Sequence, residues 1–182
     1  MTLETNIILD TLDSLDKNKI ISTLSQLTQI NNQKIIEKII SLLDNNDITI
    51  RGEVFSTLML NNNDISRELI LSLSNKGSKN IKAFCSLILA NRNDRNGINS
   101  IVKLTNDSSD MVRSCAFGAL GYLRANNVRK EIRLGIFDSN IEVKKSAAYA
   151  LVLLNEKLSN EEKIELEKQK DSDFEKILNN YN

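Results

Sequence analysis

The chain reads as an all-α protein, a row of stacked antiparallel helix pairs. Three observations point there: apolar positions recur every 31 residues, apolar residues inside each repeat fall three and four apart, and no period-two strand pattern rises above that background. Asp110-Met-Val-Arg-Ser-Cys-Ala-Phe-Gly-Ala-Leu and Ile141-Glu-Val-Lys-Lys-Ser-Ala-Ala-Tyr-Ala-Leu show the repeat most plainly. Val112 and Val143 stand 31 apart; the same step reaches Ile81 and Ile50 in one direction and Phe174 in the other. Leu27, Leu58, Leu89, Leu120 and Leu151 form a second column, and Ile8, Ile39, Ile70, Ile101 and Ile132 a third.

Each unit divides into two helices. The first carries one apolar stripe, Ile35, Ile36, Ile39, Ile40 and Leu43 in one copy, and Ile98, Ile101, Val102 and Thr105 in another. The second carries Ile50, Val54 and Leu58, or Val112, Ala116 and Leu120. Polar turns separate the two: Asp44-Asn-Asn, Asn75-Lys-Gly, Asn106-Asp-Ser and Asp138-Ser-Asn. Links between units are Asn61-Asn-Asn, Asn91-Arg-Asn-Asp and Arg124-Ala-Asn-Asn. A column of Asp16, Asp47, Ser78, Ser109, Asn140 and Asp171 precedes each second helix, where a side-chain oxygen can accept from a free N–H of the first turn. The expected organisation is one domain over 1–182, with units near 1–30, 31–61, 62–92, 93–123, 124–154 and 155–182. The outer two are caps. Lys19 and Ile20 invert the aliphatic-then-basic order, Glu175 replaces the base, Ser159-x-x-Glu162 can form a capping box, and the helix from Glu161 is highly charged.

Composition narrows the function. Lys+Arg and Asp+Glu are 24 each, and this balance argues against a general binder of nucleic acid or anionic membrane. Histidine is absent, which excludes His-dependent triads and His-ligated metals. Two cysteines make neither a disulfide framework nor, without histidine, a zinc site. A reducing, cytoplasmic setting is expected, with no secretory signal and no span of roughly 18 apolar residues. The 6 glycines supply no phosphate-binding loop. The chain is therefore expected to be non-enzymatic, without metal or cofactor.

The second-helix pattern D-x-x-x-x-V-R/K-x-x-A-A-x-A-L, best kept over Asp107–Leu120 and Asp138–Leu151, resembles the HEAT-like repeat, in particular the short type of phycobilisome-lyase-like proteins. Glu53 and Phe84 depart from it at a position that is usually small or neutral. The resemblance implies a right-handed α-solenoid of about six two-helix HEAT-like repeats, with the second helices on a concave side that binds other proteins. It also raises two alternatives, a chaperone-like or lyase-like accessory protein and a binder of nucleic-acid backbone. HEAT-repeat hydroxylases, which hold iron through His-Glu motifs, are excluded by the missing histidine.

Two surface features are candidates for partner binding. Arg51, Lys82, Arg113 and Lys144 form a basic column, with side chains roughly 10 Å apart at helix packing distance. It serves either internal pairing, each cation with acidic or carbonyl groups of its own or the next turn and with Asp107 and Asp138 as candidates, or a ladder that grips phosphates or a partner's carboxylates. A stripe through the columns of Glu53, Ser56 and Leu60 brings Phe84, Leu87, Cys115, Tyr122, Tyr149 and Leu153 to the face turned from the core. It is either buried by neighbouring helices or a groove anchored by Phe84, Leu87, Tyr122 and Tyr149. Cys85 shares a small apolar column with Val54, Ala116 and Ala147 and reads as core filler. Cys115 lies near Arg113, with no histidine to activate it. Gly118 and Gly121 each cost their helix roughly 1 kcal/mol relative to Ala, either for close helix approach or for a partner's contact. Glu161, Glu162, Glu165 and Glu167 read as a solvated cluster. The oligomeric state stays open.

Overall fold

The computed structural model describes residues 3–74 and 77–180, so Asn75 and Lys76 of one expected turn lie outside the described residues. Every regular element among those residues is helical. Two compact units result, Met1–Ile88 and Leu89–Asn182, divided within the helix Lys79–Asn91.

In the first unit the helices are α1 (Leu3–Leu12), α2 (Lys17–Gln26), α3 (Gln33–Ser41), α4 (Ile48–Leu60), α5 (Ser66–Ser72) and the start of α6 (Lys79–Asn91). First helices stack on first helices, α1 on α3 and α3 on α5, while α2 stacks on α4. Between these rows sit Leu24, Ile35, Ile36, Ile39, Leu43, Val54 and Leu58, all essentially buried. The Ile column is less regular. Ile39 is buried, but Ile8 and Ile70 are half-exposed; around the short α5 the buried positions are Ile65, Leu69 and Leu73 instead.

The second unit holds α7 (Ile98–Leu104), α8 (Asp110–Tyr122), α9 (Arg129–Leu134), α10 (Ile141–Leu153), α11 (Asn160–Glu167) and α12 (Ser172–Asn180). The first helices are short here and are extended by 3-10 turns at Arg95–Gly97, Asn126–Val128 and Gly135–Phe137. The second helices α8, α10 and α12 form one row. Val112, Ala116, Leu120, Ile132, Val143, Ala147 and Leu151 fill the space beneath it and are fully buried.

The cap column works at five of its six positions. Asp16, Asp47, Ser78, Asn140 and Asp171 each accept from a first-turn N–H, as in Thr49 N to Asp47 Oδ1 at 2.7 Å and Glu142 N to Asn140 Oδ1 at 2.9 Å. Ser109 makes no such bond; its own N–H donates to Asp107, and the Asp110 carboxylate accepts from Met111 N–H in its place.

Helix ends repeat as faithfully as helix starts. Asn93, Arg124 and Asn155 stand 31 apart with φ of 53°, 50° and 56°. Each lets the next N–H reach back to a ladder leucine: Asp94 to Leu89 O, Ala125 to Leu120 O and Glu156 to Leu151 O, at 2.8, 3.1 and 3.0 Å. This is the left-handed C-terminal cap of an α-helix, in a chain that uses Asn or Arg where glycine is more usual.

Gly121 and Gly118 have opposite reasons to be small. A Cβ on Gly121 would lie 2.7 Å from Ala150 Cα and 2.9 Å from Ala150 Cβ, so glycine is what lets α8 and α10 approach. A Cβ on Gly118 would meet nothing within 4 Å. Gly118→Ala is therefore expected to stabilise the protein by about 1 kcal/mol, raising Tm by roughly 2–4 °C for a chain of this size. Gly121→Ala should lower stability by about 1–3 kcal/mol, because backbone cannot step aside. Thermal melts of the two variants check this; shifts of the same sign would refute it.

Candidate functional site

The basic column is largely engaged by the protein's own groups. Arg51 donates through Nη1 to the carbonyls of Asn45 and Asn46 at 2.7 and 3.0 Å. Arg113 grips the Asp138 carboxylate with Nε and Nη2 at 2.8 and 2.9 Å, and its Nη1 donates to Asp107 O at 3.0 Å. Lys144 is buried and bonded to Glu165. Lys82 is half-buried and also engaged. Arg51 thus ties its helix to the turn before it, while Arg113 and Lys144 also reach the following repeat, Arg113 in the fork geometry that makes Arg–carboxylate pairs strong.

The same logic continues into the last repeat. Arg133 donates to Glu162 at 2.6 and 2.8 Å and to Glu156 at 2.8 Å, and Lys145 pairs with Asp171 at 2.9 Å. Glu162 is accordingly not solvated as its charged helix suggests: it is 3% exposed. The capping box it shares with Ser159 is formed. Two further arginines cap helix ends across repeats, Arg95 donating to Leu123 O and Arg124 to Leu153 O.

These pairs hold carboxylates below their ordinary range. Lys17 brings Asp47 down to about 2; Arg113 lowers Asp138, Arg133 lowers Glu156, Lys144 lowers Glu165, and Lys145 lowers Asp171. A carboxylate with a folded pKa below its unfolded value near 4 contributes stability that is fully present above pH 4 and is lost as the pH falls through the folded value. Urea midpoints should therefore be flat from about pH 5 to 8 and fall between about pH 4 and 2. A midpoint that holds down to pH 2 would show that the pairs add nothing.

The stripe turned away from the core divides by unit. In the first unit, Phe84 and Leu87 are half-buried. Phe84 meets Phe55 edge-on with ring centroids 6.2 Å apart, and Leu60 is largely exposed. In the second unit, Tyr122 is 66% exposed and Tyr149 44%. Gly118 leaves bare helix backbone at the register position of Tyr149, one repeat earlier. Beside them Ser114 and Ser146 share a 2.8 Å hydroxyl bond that ties α8 to α10. Cys115 is half-buried, while Cys85 is fully buried, its thiol pushed up to about 12 by burial. Neither has the electropositive, accessible surroundings of a reactive thiolate. Among the described residues no cluster of three Cys, Asp or Glu side chains could hold a metal ion, and no helix is long and apolar enough to cross a membrane.

Several solved structures share this arrangement. A designed armadillo repeat protein in complex with the peptide (KR)4 aligns with a TM-score of 0.51 at 18% identity, over 96% of this chain and 98% of that one. An engineered protein aligns with a TM-score of 0.55 at 16% identity, over 97% and 94%. The fold is that of a helical repeat solenoid. Computationally designed armadillo repeat proteins for modular peptide recognition give a TM-score of 0.51 at 19% identity, over 96% and 98%. At these identities the likeness concerns fold alone. No protein-family model and no curated protein matches the chain.

Proposed function

We propose that this solenoid is a non-enzymatic scaffold, an adaptor of short HEAT-like repeats forming one domain of six units, which binds another protein in the cytoplasm through the open face of its second helices. One observation carries the reading. Tyr122 and Tyr149 stand on the same face of adjacent second helices, 66% and 44% exposed, on a row held rigid by Gly121, the Ser114–Ser146 bond and the buried leucines. Exposed aromatics on a rigid scaffold give large contact area at small ordering cost, which is the profile of interface anchors. In the first unit Leu87 holds the register position of Tyr149, and Phe84 lies on the same stripe at the position of Cys115. The basic column contributes less to the proposed surface, since its heads are already bonded. The likeness to designed peptide-recognition proteins is consistent with a protein partner.

The test is a double variant, Tyr122→Ala with Tyr149→Ala. Quantitative capture should show at least a tenfold loss of the partner recovered by the wild type, with Tm unchanged. Equal recovery would overturn the surface assignment, and a fall in Tm of several degrees would place the tyrosines in the core. A salt titration with duplex DNA and with RNA tests the nucleic-acid alternative; a log–log slope of several units would favour it over the adaptor reading.

A further inference from the structure

The last repeat, α11 and α12 with the link before them, is docked on the rest of the second unit by ion pairs of one polarity. The cations stand on α9 and α10: Arg129, Arg133, Lys144 and Lys145. The carboxylates stand on the link and the last repeat. Glu156 lies 3.2 Å from Arg129 and 2.8 Å from Arg133, and Glu162 lies 2.6 Å from Arg133. Glu165 pairs with Lys144, and Asp171 and Asp173 lie 2.9 and 3.4 Å from Lys145.

Apolar packing contributes less here than at the junction before it. Among its described residues the last repeat buries the apolar side chains Leu158, Leu166, Phe174 and Ile177. The preceding repeat buries Val128, Ile132, Ile136, Val143, Leu151 and Leu154 besides its alanines. α8 presses on α10 at Gly121, whereas α12 meets α10 over far less of its length.

Water reaches the acidic side of the junction. Glu156, Glu165 and Asp171 have side chains 22%, 20% and 22% exposed. Arg133 and Arg129 hold Glu156 below the ordinary carboxylate range, Lys144 and Lys168 do the same for Glu165, and Lys145 for Asp171. Their contribution is present above about pH 4 and is lost as the pH falls through the folded values. The other charged groups paired at this junction are Glu142 on α10, Lys168 on α11 and Lys176 on α12. Once the carboxylates are protonated, the two lysines of the last repeat and the four cations of α9 and α10 are left without counter-charge, and attraction gives way to repulsion. Stacked repeats touch their neighbours alone, so α11 and α12 can open while the helices before them stay folded.

We propose that α11 and α12 form an acid-released cap, which undocks as one unit when the carboxylates of the junction are protonated and so bares Arg129, Arg133, Lys144 and Lys145 while α7 to α10 stay folded. The cap does not depend on the tyrosine face, and either can fail alone.

The experiment is an NMR titration of the full chain from about pH 7 to about pH 2, following backbone amides. The amides of Leu166, Phe174 and Ile177 should reach random-coil positions near about pH 3, reversibly, while those of Val112, Leu120 and Val143 keep their native shifts. A second arm combines Glu165→Gln with Asp171→Asn, which remove charge and keep bulk; asparagine still caps α12 as Asp171 does. At neutral pH this variant should exchange the amide hydrogens of α11 and α12 roughly tenfold faster than the wild type, with α8 unchanged, and its opening should depend less on pH. Loss of α8 and α12 signals at the same pH, a last repeat still docked at about pH 2, or a variant that keeps the wild-type pH dependence would each overturn the proposal.

Discussion

Leu120→Ala is expected to lower the free energy of unfolding by about 3–5 kcal/mol, the range for removing a fully enclosed leucine from a core that cannot collapse around the gap. Leu120 is 0% exposed and lies in α8 among Val112, Ala116 and Leu123, which are equally enclosed. Its carbonyl accepts from Ala125 N–H, which closes the end of the helix. Small side chains leave little freedom to refill the space, because Ala116 and Ala119 carry no rotamers. Leu60→Ala is the control. Leu60 occupies the last position of α4 and is 63% exposed, so its truncation should cost no more than about 0.5 kcal/mol. Urea unfolding of both variants checks the contrast, and similar midpoints for the two would refute the assignment of the leucine column to the core. In a stack of repeats the loss should be felt most by nearest neighbours. Hydrogen exchange should accordingly accelerate in α8 and α10 before it does in α12.

Arg133→Ala should cost about 3–5 kcal/mol, the scale seen when one partner of a buried ion pair is removed and the other is stranded. Glu162 is 3% exposed and receives both of its short charge-assisted bonds from Arg133. Without them the carboxylate keeps one strong donor, the N–H of Ser159 in the capping box. Arg133 also holds Glu156 and the carbonyl of Lys157, so the substitution loosens the segment leading into α11. Pairing Arg133→Met with Glu162→Leu removes both charges and keeps the bulk, and it should recover most of the loss. A double-mutant cycle by denaturant unfolding measures this. Equal destabilisation by Arg133→Ala and by the charge-free pair would mean that shape, and not the ion pair, supports the last repeat.

The repeat could be read because its causes are local and recur. Ile50, Val112, Val143 and Phe174 are buried, as are Leu27, Leu58, Leu89, Leu120 and Leu151, since one helical face must be apolar wherever two rows of helices meet. The cap column was legible for the same reason: Asp47 and Asn140 satisfy donors belonging to residues two and three positions on. The left-handed helix ends are not legible in the same way. Asn93, Arg124 and Asn155 share the 31-residue period, but arginine is not a residue that announces a positive φ. The spacing of two asparagines 62 apart, with the register position between them filled by arginine, was the available signal.

The candidate site was only partly legible. Periodicity placed Tyr122 and Tyr149 on the outer face of the second helices, where they are exposed. It also grouped them with Phe84 and Leu87, which are half-buried. Glu162 misled in the opposite direction: a glutamate in a run of charges reads as solvated, and only the Arg133 side chain from the preceding repeat takes it inside.

By itself the sequence determined the all-helical class, the 31-residue unit, most residues of the core and most helix caps. All of these follow from which side chains avoid water and which can bond to backbone a few residues away. The tertiary structure decided how each exposed or charged residue is used. Arg51, Arg113 and Lys144 look alike in one column, yet one bonds to turn carbonyls, one forks onto Asp138 and one is buried against Glu165. Gly118 and Gly121 differ as sharply, one open and one pressed against Ala150. The physical reason is range. Burial periodicity and capping act within a helix, whereas the carboxylate partners of Arg113 and Lys144 and the room beside Gly121 depend on groups about 20–30 residues away, brought near only by stacking.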